Sequence, residues 1–271
     1  MGNDPDDHGR QFKRVGIIAD MHCGHLAGLT PPEYQIELTK DDPRRNKLAL
    51  IQRELWDEFY RIVKANQPYD ILIINGDCIE GKGERSGGTE LISSDRKVQT
   101  DIAAQIIQTI NAPINRMTYG TNSHTGKDED WEDIVADKVG AKIGSHEWLD
   151  INGLIFDIKH RVSSSVIPHG RLTALAREVL WNRLWHIRGL QPLADVLIRS
   201  HVHYYEEIVH DGCRAVTTPS LQGMGSKFGA RMCSGTVDFG VITADVYKDR
   251  HYTWSPQFIT GQTQQAKAEV L

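Results

Sequence analysis

Three apolar runs in this chain end in residues able to hold a cation. Tyr69-Asp70-Ile71-Leu72-Ile73-Ile74-Asn75-Gly76-Asp77 is an apolar stretch of strand length that stops at Gly-Asp, the pattern of a buried parallel strand delivering a carboxylate to a sheet edge. Residues 14–19 repeat the arrangement and lead into Asp20, with His22 two residues on. Residues 194–199 end in Ser200-His201-Val202-His203. In open α/β sheets the working groups gather at the carboxyl ends of the strands, so the three termini can meet. Asp and His side chains, joined by Asn from a further strand end, suit borderline-hard divalent ions such as Mn, Fe or Zn. Two such ions about 3.5–4 Å apart need a bridging anion. Asp77 is the natural bridge. Such a pair can bring a shared water towards neutral pKa, clamp a phosphate and stabilise the charge of an in-line displacement.

Around these termini the chain supplies elements to position them. A strand over 13–20 is followed by a long irregular segment, 21–45, holding Gly24, Gly28, Pro31, Pro32 and Pro43; loops of this length in compact domains are often functional. A helix over 46–65 presents Leu48, Ile51, Leu55, Phe59, Ile62 and Val63 at three-to-four-residue spacing. After a Gly-rich rim at 81–88, Ser93 or Ser94 caps a helix running to Asn111, with Val98, Ile102, Ile106, Ile107 and Ile110 inward. A strand over 115–119 runs into Gly120-Thr121-Asn122-Ser123-His124, and 128–139 forms an acidic helix. Asn152-Gly153 joins 148–151 to 154–160 as a type I′ hairpin. Leu172, Leu175, Val179, Leu180 and Leu184 face inward from a helix over 172–187, with Trp181 and Trp185 as core or covering residues. Antiparallel strands follow at 204–210, 214–218, 235–247 and 252–258, and Gly223, Gly225 and Gly229 mark a loop among them. No repeat or linker divides the chain. The expectation is one domain over 13–260 between flexible ends, 1–12 and 261–271.

Composition narrows the function classes. With 39% hydrophobic and 25% charged residues and no apolar run long enough to span a bilayer, the expectation is a cytoplasmic protein with no membrane association. Residues 1–10 are polar and acidic, unlike a signal peptide. A net charge of −5 gives no basic footprint for extended nucleic-acid binding. Cys23, Cys78, Cys213 and Cys233 lack paired short spacing, so reduced thiols are expected, with Cys23 and Cys78 turned into packing. Lys82, Arg85, Lys127, Arg161, Lys227 and Arg231 are loop cations, each more readily a solvated charge than a phosphate contact.

Asp20-x-His22, Gly76-Asp77-x-x-Glu80, Gly120-Thr121-Asn122-Ser123-His124, His160 and Ser200-His201-x-His203 together resemble the five blocks of the calcineurin-like metallophosphoesterase superfamily. Those blocks are D-x-H, G-D-x-x-D/E, G-N-H-D/E, a lone H, and G-H-x-H. The match covers residues 14–205 in the family's order. The resemblance implies an α/β (α+β) fold, a central β-sandwich of mixed sheets flanked by helices. It implies two divalent ions, Mn foremost, with Fe, Zn or Ni as the others. Asp20, His22, Asp77 and His203 would hold one; Asp77, Asn122, His160 and His201 would hold the other. His124 would be the general acid or would steady the leaving oxygen, with Asp77 as its catalytic companion. Glu80 stands between a hydrogen-bond acceptor behind a ligand and an ordinary loop carboxylate, and His146 and His169 compete with His160 for the lone-histidine place.

Three features depart from the family pattern. Ser123 separates Asn122 from His124 and no acid follows; Ser200 replaces glycine; and the second block lacks the Asp-Arg-Gly of protein Ser/Thr phosphatases. The expected function is therefore P–O bond hydrolysis by a phosphodiesterase or nuclease, with a phosphate ester such as a nucleotide or nucleic acid as substrate. The alternatives are a phosphomonoesterase of a small metabolite, or a catalytically silent metal-binding interaction protein of the same fold.

Overall fold

The apolar runs become strands because alternate residues enter two different cores. In the strand Ile71–Asn75 every residue is buried. Ile71 and Ile73 pack between two sheets, while Leu72 and Ile74 pack against helices on the opposite side. Burial on both faces is why the run shows no polar alternation. The computed structural model describes residues 10–126, 129–165, 167–224, 237–261, 268 and 270.

In chain order the strands are β1 (Phe12–Ile18), β2 (Ile71–Asn75), β3 (Ile114–Thr118), β4 (Lys142–Gly144), β5 (Glu147–Ile151), β6 (Leu154–Arg161), β7 (Val196–Ser200), β8 (Glu206–His210), β9 (Cys213–Thr217), β10 (Phe239–Tyr247) and β11 (Tyr252–Ile259). The helices are α1 (Pro43–Asn66), α2 (Arg96–Ile110), the single turn α3 (Asn122–Thr125), α4 (Trp131–Val139) and α5 (Arg171–Ile187). Six strands form one mixed sheet in the order β11-β10-β1-β2-β3-β4, and five form the other in the order β5-β6-β7-β9-β8. β1 to β4 run parallel, as do β6, β7 and β9. Val15, Ile17, Ile73, Phe156, Ile198 and Ile242 fill the space between the sheets. Leu55, Phe59, Ile102, Ile106 and Val135, from α1, α2 and α4, cover the outer face of the first sheet. Leu175 and Val179 of α5 cover the second. The expected sandwich of mixed sheets flanked by helices is what the chain forms.

Some local expectations need correction. Asp95 caps α2, accepting the Lys97 N–H at 2.8 Å, while Ser93 Oγ accepts the Asp95 N–H. Leu172, Leu180 and Leu184 are not inward, with Leu180 53% exposed, and Trp181 is half-exposed and outside the core. The sheet under α5 is met by the narrow stripe Ala174, Leu175, Val179 and Asn182, which leaves the next row of apolar residues outside. The hairpin turn forms as expected, with φ of 52° at Asn152 and 85° at Gly153. The ends 1–9, Gly225, Gly229, Lys127, Lys227, Arg231 and Cys233 lie outside the described residues.

Candidate metal centre

The five sequence blocks meet at one edge of the two sheets. Asp20 and His22 follow β1, Asp77 and Glu80 follow β2, His124 follows β3, His160 ends β6, and His201 and His203 follow β7. Asp20, His22, Asp77, His201 and His203 all adopt positive φ, between 45° and 74°. Left-handed backbone at non-glycine residues costs on the order of 1–3 kcal/mol each and gathers at functional sites. Burying a comparable number of Ile and Leu side chains, about 1.5–3 kcal/mol each, offsets it. The turned loops continue to pair beyond the strands: Asp20 N donates to Gly76 O, His22 N to Asp77 O and Cys23 N to Cys78 O, each at 3.0 Å. Cys23 and Cys78 point away into the core and are fully buried, as expected.

Three clusters of ligand atoms result among the described residues, one of them, His22, Glu80 and His124, sharing His22 with another. Asp20, His22 and His203 form the second, and Asp77, His160 and His201 form the third. His203 Nε2 lies 3.3 Å from Asp20 Oδ1 and 3.1 Å from His22 Nε2. His160 Nε2 lies 3.2 Å and His201 Nδ1 3.8 Å from Asp77 Oδ2. Neighbouring ligands around an ion with bonds near 2.0–2.2 Å are separated by about 3–3.5 Å, so these spacings suit a cation at the second and third clusters. Asp20 and Asp77 are at most 1% exposed.

Hydrogen bonds set the histidine tautomers. His160 Nδ1 lies 2.6 Å from the Asn75 carbonyl oxygen, which can only accept, so Nδ1 carries the proton and Nε2 presents a lone pair. His22 Nδ1 donates to the Glu80 carboxylate at 2.8 Å, freeing its Nε2 in the same way. Glu80 is therefore the acceptor behind a ligand. Asp20 Oδ1, His160 Nε2 and His201 Nδ1 are buried without a hydrogen-bond partner. Lone pairs facing lone pairs in a buried site call for a cation. In the metal-free protein a proton answers that demand: burial pushes the His160 imidazole down, yet Asp77 and Asp20 outweigh it and raise it to about 10, so a cation entering here would displace the Nε2 proton that faces Asp77. Burial pushes Asp77 up, but His160 and His201 win and hold its carboxyl well below the usual range.

His160 owes its aim to an irregularity in the β6–β7 register between Ile158 and Arg161. The competitors fall away: His146 bonds Asp157 at 2.8 Å, and His169 is exposed in a short 3-10 turn. His124 Nδ1 lies 3.0 Å from the Glu80 carbonyl oxygen, and its ring meets His22 edge-on at 4.6 Å. Asn122 is exposed at the start of α3. Its neighbour Thr121 reaches the centre instead, donating its N–H to Asp77 Oδ1 at 2.6 Å. Lys82 and Arg161 are exposed.

The two sheets and all five blocks converge as one unit at this edge. The chain forms a two-sheet α/β sandwich flanked by helices, and the blocks that resemble those of the calcineurin-like metallophosphoesterases lie together at its edge. No family model matches it, and no curated protein does either. Solved structures similar to it include Vps29 of Entamoeba histolytica in complex with zinc, at 14% identity over 90% of this chain and 98% of that one, TM-score 0.41. An archaeal phosphodiesterase is similar at 14% identity over 90% and 99%, TM-score 0.43. A Streptococcus pneumoniae protein described as a predicted phosphoesterase has 9% identity over 92% and 99%, TM-score 0.37. Among the described residues no helix is long and apolar enough to cross a membrane.

Residues that the sequence motifs did not single out brace this centre. Glu132 of α4 accepts the N–H of Cys78 at 2.8 Å and of Gly120 at 2.6 Å, tying the second and third loops together. Burial and the nearby Asp77 push its carboxyl up to about 7. Its signal was available: Glu132 shares a face with buried Val135 and Ala136. Beneath the ligands, Asn75 Nδ2 donates to Ser200 Oγ at 2.6 Å, and Ser200 meets Thr218 at 2.7 Å. The serine that replaces glycine thus adds a hydrogen bond between the sheets.

Proposed function

We propose that this protein is a dinuclear metal-dependent phosphoesterase that hydrolyses P–O bonds, acting on phosphodiesters such as nucleotides or nucleic-acid ends. The observation that carries this reading is the pair of ligand clusters around Asp20 and Asp77, with the orphaned atoms Asp20 Oδ1, His160 Nε2 and His201 Nδ1 turned into them. Asp20, His22, His203 and the shared Asp77 would hold one ion, and Asp77, His160 and His201 the other, with manganese as the expected metal. When bound, such ions lower the pKa of a water and draw charge off a phosphate.

The remaining work falls to side chains. The Glu80 carbonyl keeps the His124 proton on Nδ1, so Nε2 is the nitrogen that exchanges a proton with the leaving oxygen. The His124 side chain is 19% exposed, which leaves it reachable by substrate. A cavity of about 590 Å³ is lined by Leu26, Tyr34 and Ile36 of segment 21–45, Leu48 of α1, Thr89 of loop 81–90 and Leu91, and none of the candidate ligands lines it. Cys23, Cys78 and Cys213 are buried and unpaired, in keeping with a cytoplasmic setting.

The test is hydrolysis of bis(p-nitrophenyl) phosphate and p-nitrophenyl phosphate with added manganese, beside Asp77→Asn. Diester turnover that vanishes in the variant supports the reading, and turnover of the monoester alone redirects it to phosphomonoesters. A second reading, a metal-binding interaction protein without turnover, is favoured by the rearranged third block, in which Asn122 is exposed. Absence of turnover on both esters with two ions bound would select it.

A further inference from the structure

We infer that Thr121, and not Asn122, completes the ligand set of the second ion. The inference rests on the dinuclear reading above. That half of the centre offers three side-chain donors, Asp77, His160 and His201. Ions of the manganese class accept more donors than three, and oxygen is a favoured one. The Thr121 hydroxyl lies 3.1 Å from Asp77 Oδ1 and 3.2 Å from Oδ2, alongside the edge of the shared carboxylate. Asn122 and Ser123, next in the chain, are exposed.

Threonine before a helix ordinarily caps it, accepting an N–H of the first turn with its hydroxyl. Here the residue stands at the N-cap of α3, yet its side chain makes no cap hydrogen bond. The hydroxyl is turned to Asp77 instead, and it also meets the Ser123 hydroxyl at 3.2 Å. Two neighbours hold it there. Gly120 permits the approach, since a Cβ at that position would lie 2.2 Å from Asp77 Oδ1. Glu132 binds the Gly120 N–H and so sets the loop against the Asp77 turn. A hydroxyl can donate its proton to one Asp77 oxygen and still offer a lone pair to an ion, which a methyl group cannot. The inserted residue in the third block thus moves the donor one position earlier in the chain and changes it from an amide oxygen to a hydroxyl. A hydroxyl is a hard, neutral donor that favours manganese or magnesium over zinc at this half of the centre.

The test is the number and affinity of manganese ions bound by the full chain, by calorimetry and by paramagnetic resonance, in Thr121→Val, Thr121→Ser and Asn122→Ala. Circular dichroism of each metal-free variant checks folding. Wild type is expected to bind two ions with a coupled signal. Thr121→Val should weaken one class of site about tenfold or more and give the signal of a mononuclear ion, with the other class unchanged, while Thr121→Ser and Asn122→Ala keep both. Equal weakening of both classes would assign Thr121 to holding the shared Asp77 alone and overturn the inference. So would two unaltered sites in Thr121→Val, or loss of an ion in Asn122→Ala. A wild type that binds one ion sinks the dinuclear reading and this assignment with it.

Discussion

The two halves of the centre are built on different charge. Around Asp20, His22 and His203, the buried Asp20 is joined by Glu80, whose carboxylate accepts from the back of the His22 ring at 2.8 Å. Around His160 and His201, the carboxylate is Asp77, and the back of the His160 ring is held by a neutral carbonyl, that of Asn75. A carboxylate behind a ligating imidazole raises its basicity more than a carbonyl does. The first half is therefore expected to bind its ion more tightly, and stripping with chelator should empty the second half first.

The largest effect expected is that of Asp77→Asn, which removes the charge that the proposed dinuclear centre would share between its halves. Both ions should be lost, with a fall in turnover of about a thousandfold, as several kcal/mol of charge stabilisation implies. Retention of one tightly bound ion would show that the halves do not share this residue. Metal analysis and kinetics on the purified variant decide it.

Glu132 tests the second half through pH. Its carboxyl is raised from 4.5 to about 7 when folded, so the native metal-free protein holds that proton over a range in which the unfolded chain releases it. Stability from this group is present below pH 4.5 and is lost as pH rises through about 7. At about 1.4 kcal/mol per pH unit the loss is about 3 kcal/mol. Glu132→Gln should start less stable, because an amide N–H2 faces a backbone donor, and should decline less across that window. Denaturation curves at several pH values that run parallel for the two proteins would remove Glu132 from this role.

Glu80→Gln sharpens the contrast directly. The ion beside His22 should bind about 10–100-fold more weakly, with the second ion unaffected, so the two dissociation constants draw together. Calorimetric titration that shows equal weakening of both would break the comparison. The smallest effect expected is from Ser200→Ala, about 1 kcal/mol of stability from hydrogen bonds under the centre, with both metal affinities unchanged. A changed affinity would place that hydroxyl in the ligand geometry.

Much of the centre was legible in the chain itself. Asp20, Asp77, His201 and His203 follow runs whose length and unbroken apolarity mark them as buried strands, and a strand end in such a sheet is a place where ligands gather. Asn152-Gly153 marks its own turn by its tolerance of positive φ. Other features had no local signal. The orientation of His160 depends on a register shift against β7, a property of two strands together. The outward Leu180 and Trp181 share helical spacing with buried Leu175 and Val179, and the width of the sheet beneath decides which row is covered.

The sequence by itself determined which residues are drawn together, because apolar periodicity and strand ends are local and the core they build admits one arrangement of the runs. Tertiary structure alone decided which atom of each residue is presented. Asn75 O and Glu80 select the free nitrogens of His160 and His22, and Glu132 with Gly120 brings Thr121, in place of Asn122, onto Asp77. Tautomer, rotamer and close approach are settled by partners far away in the chain, and spacing along it carries no record of them.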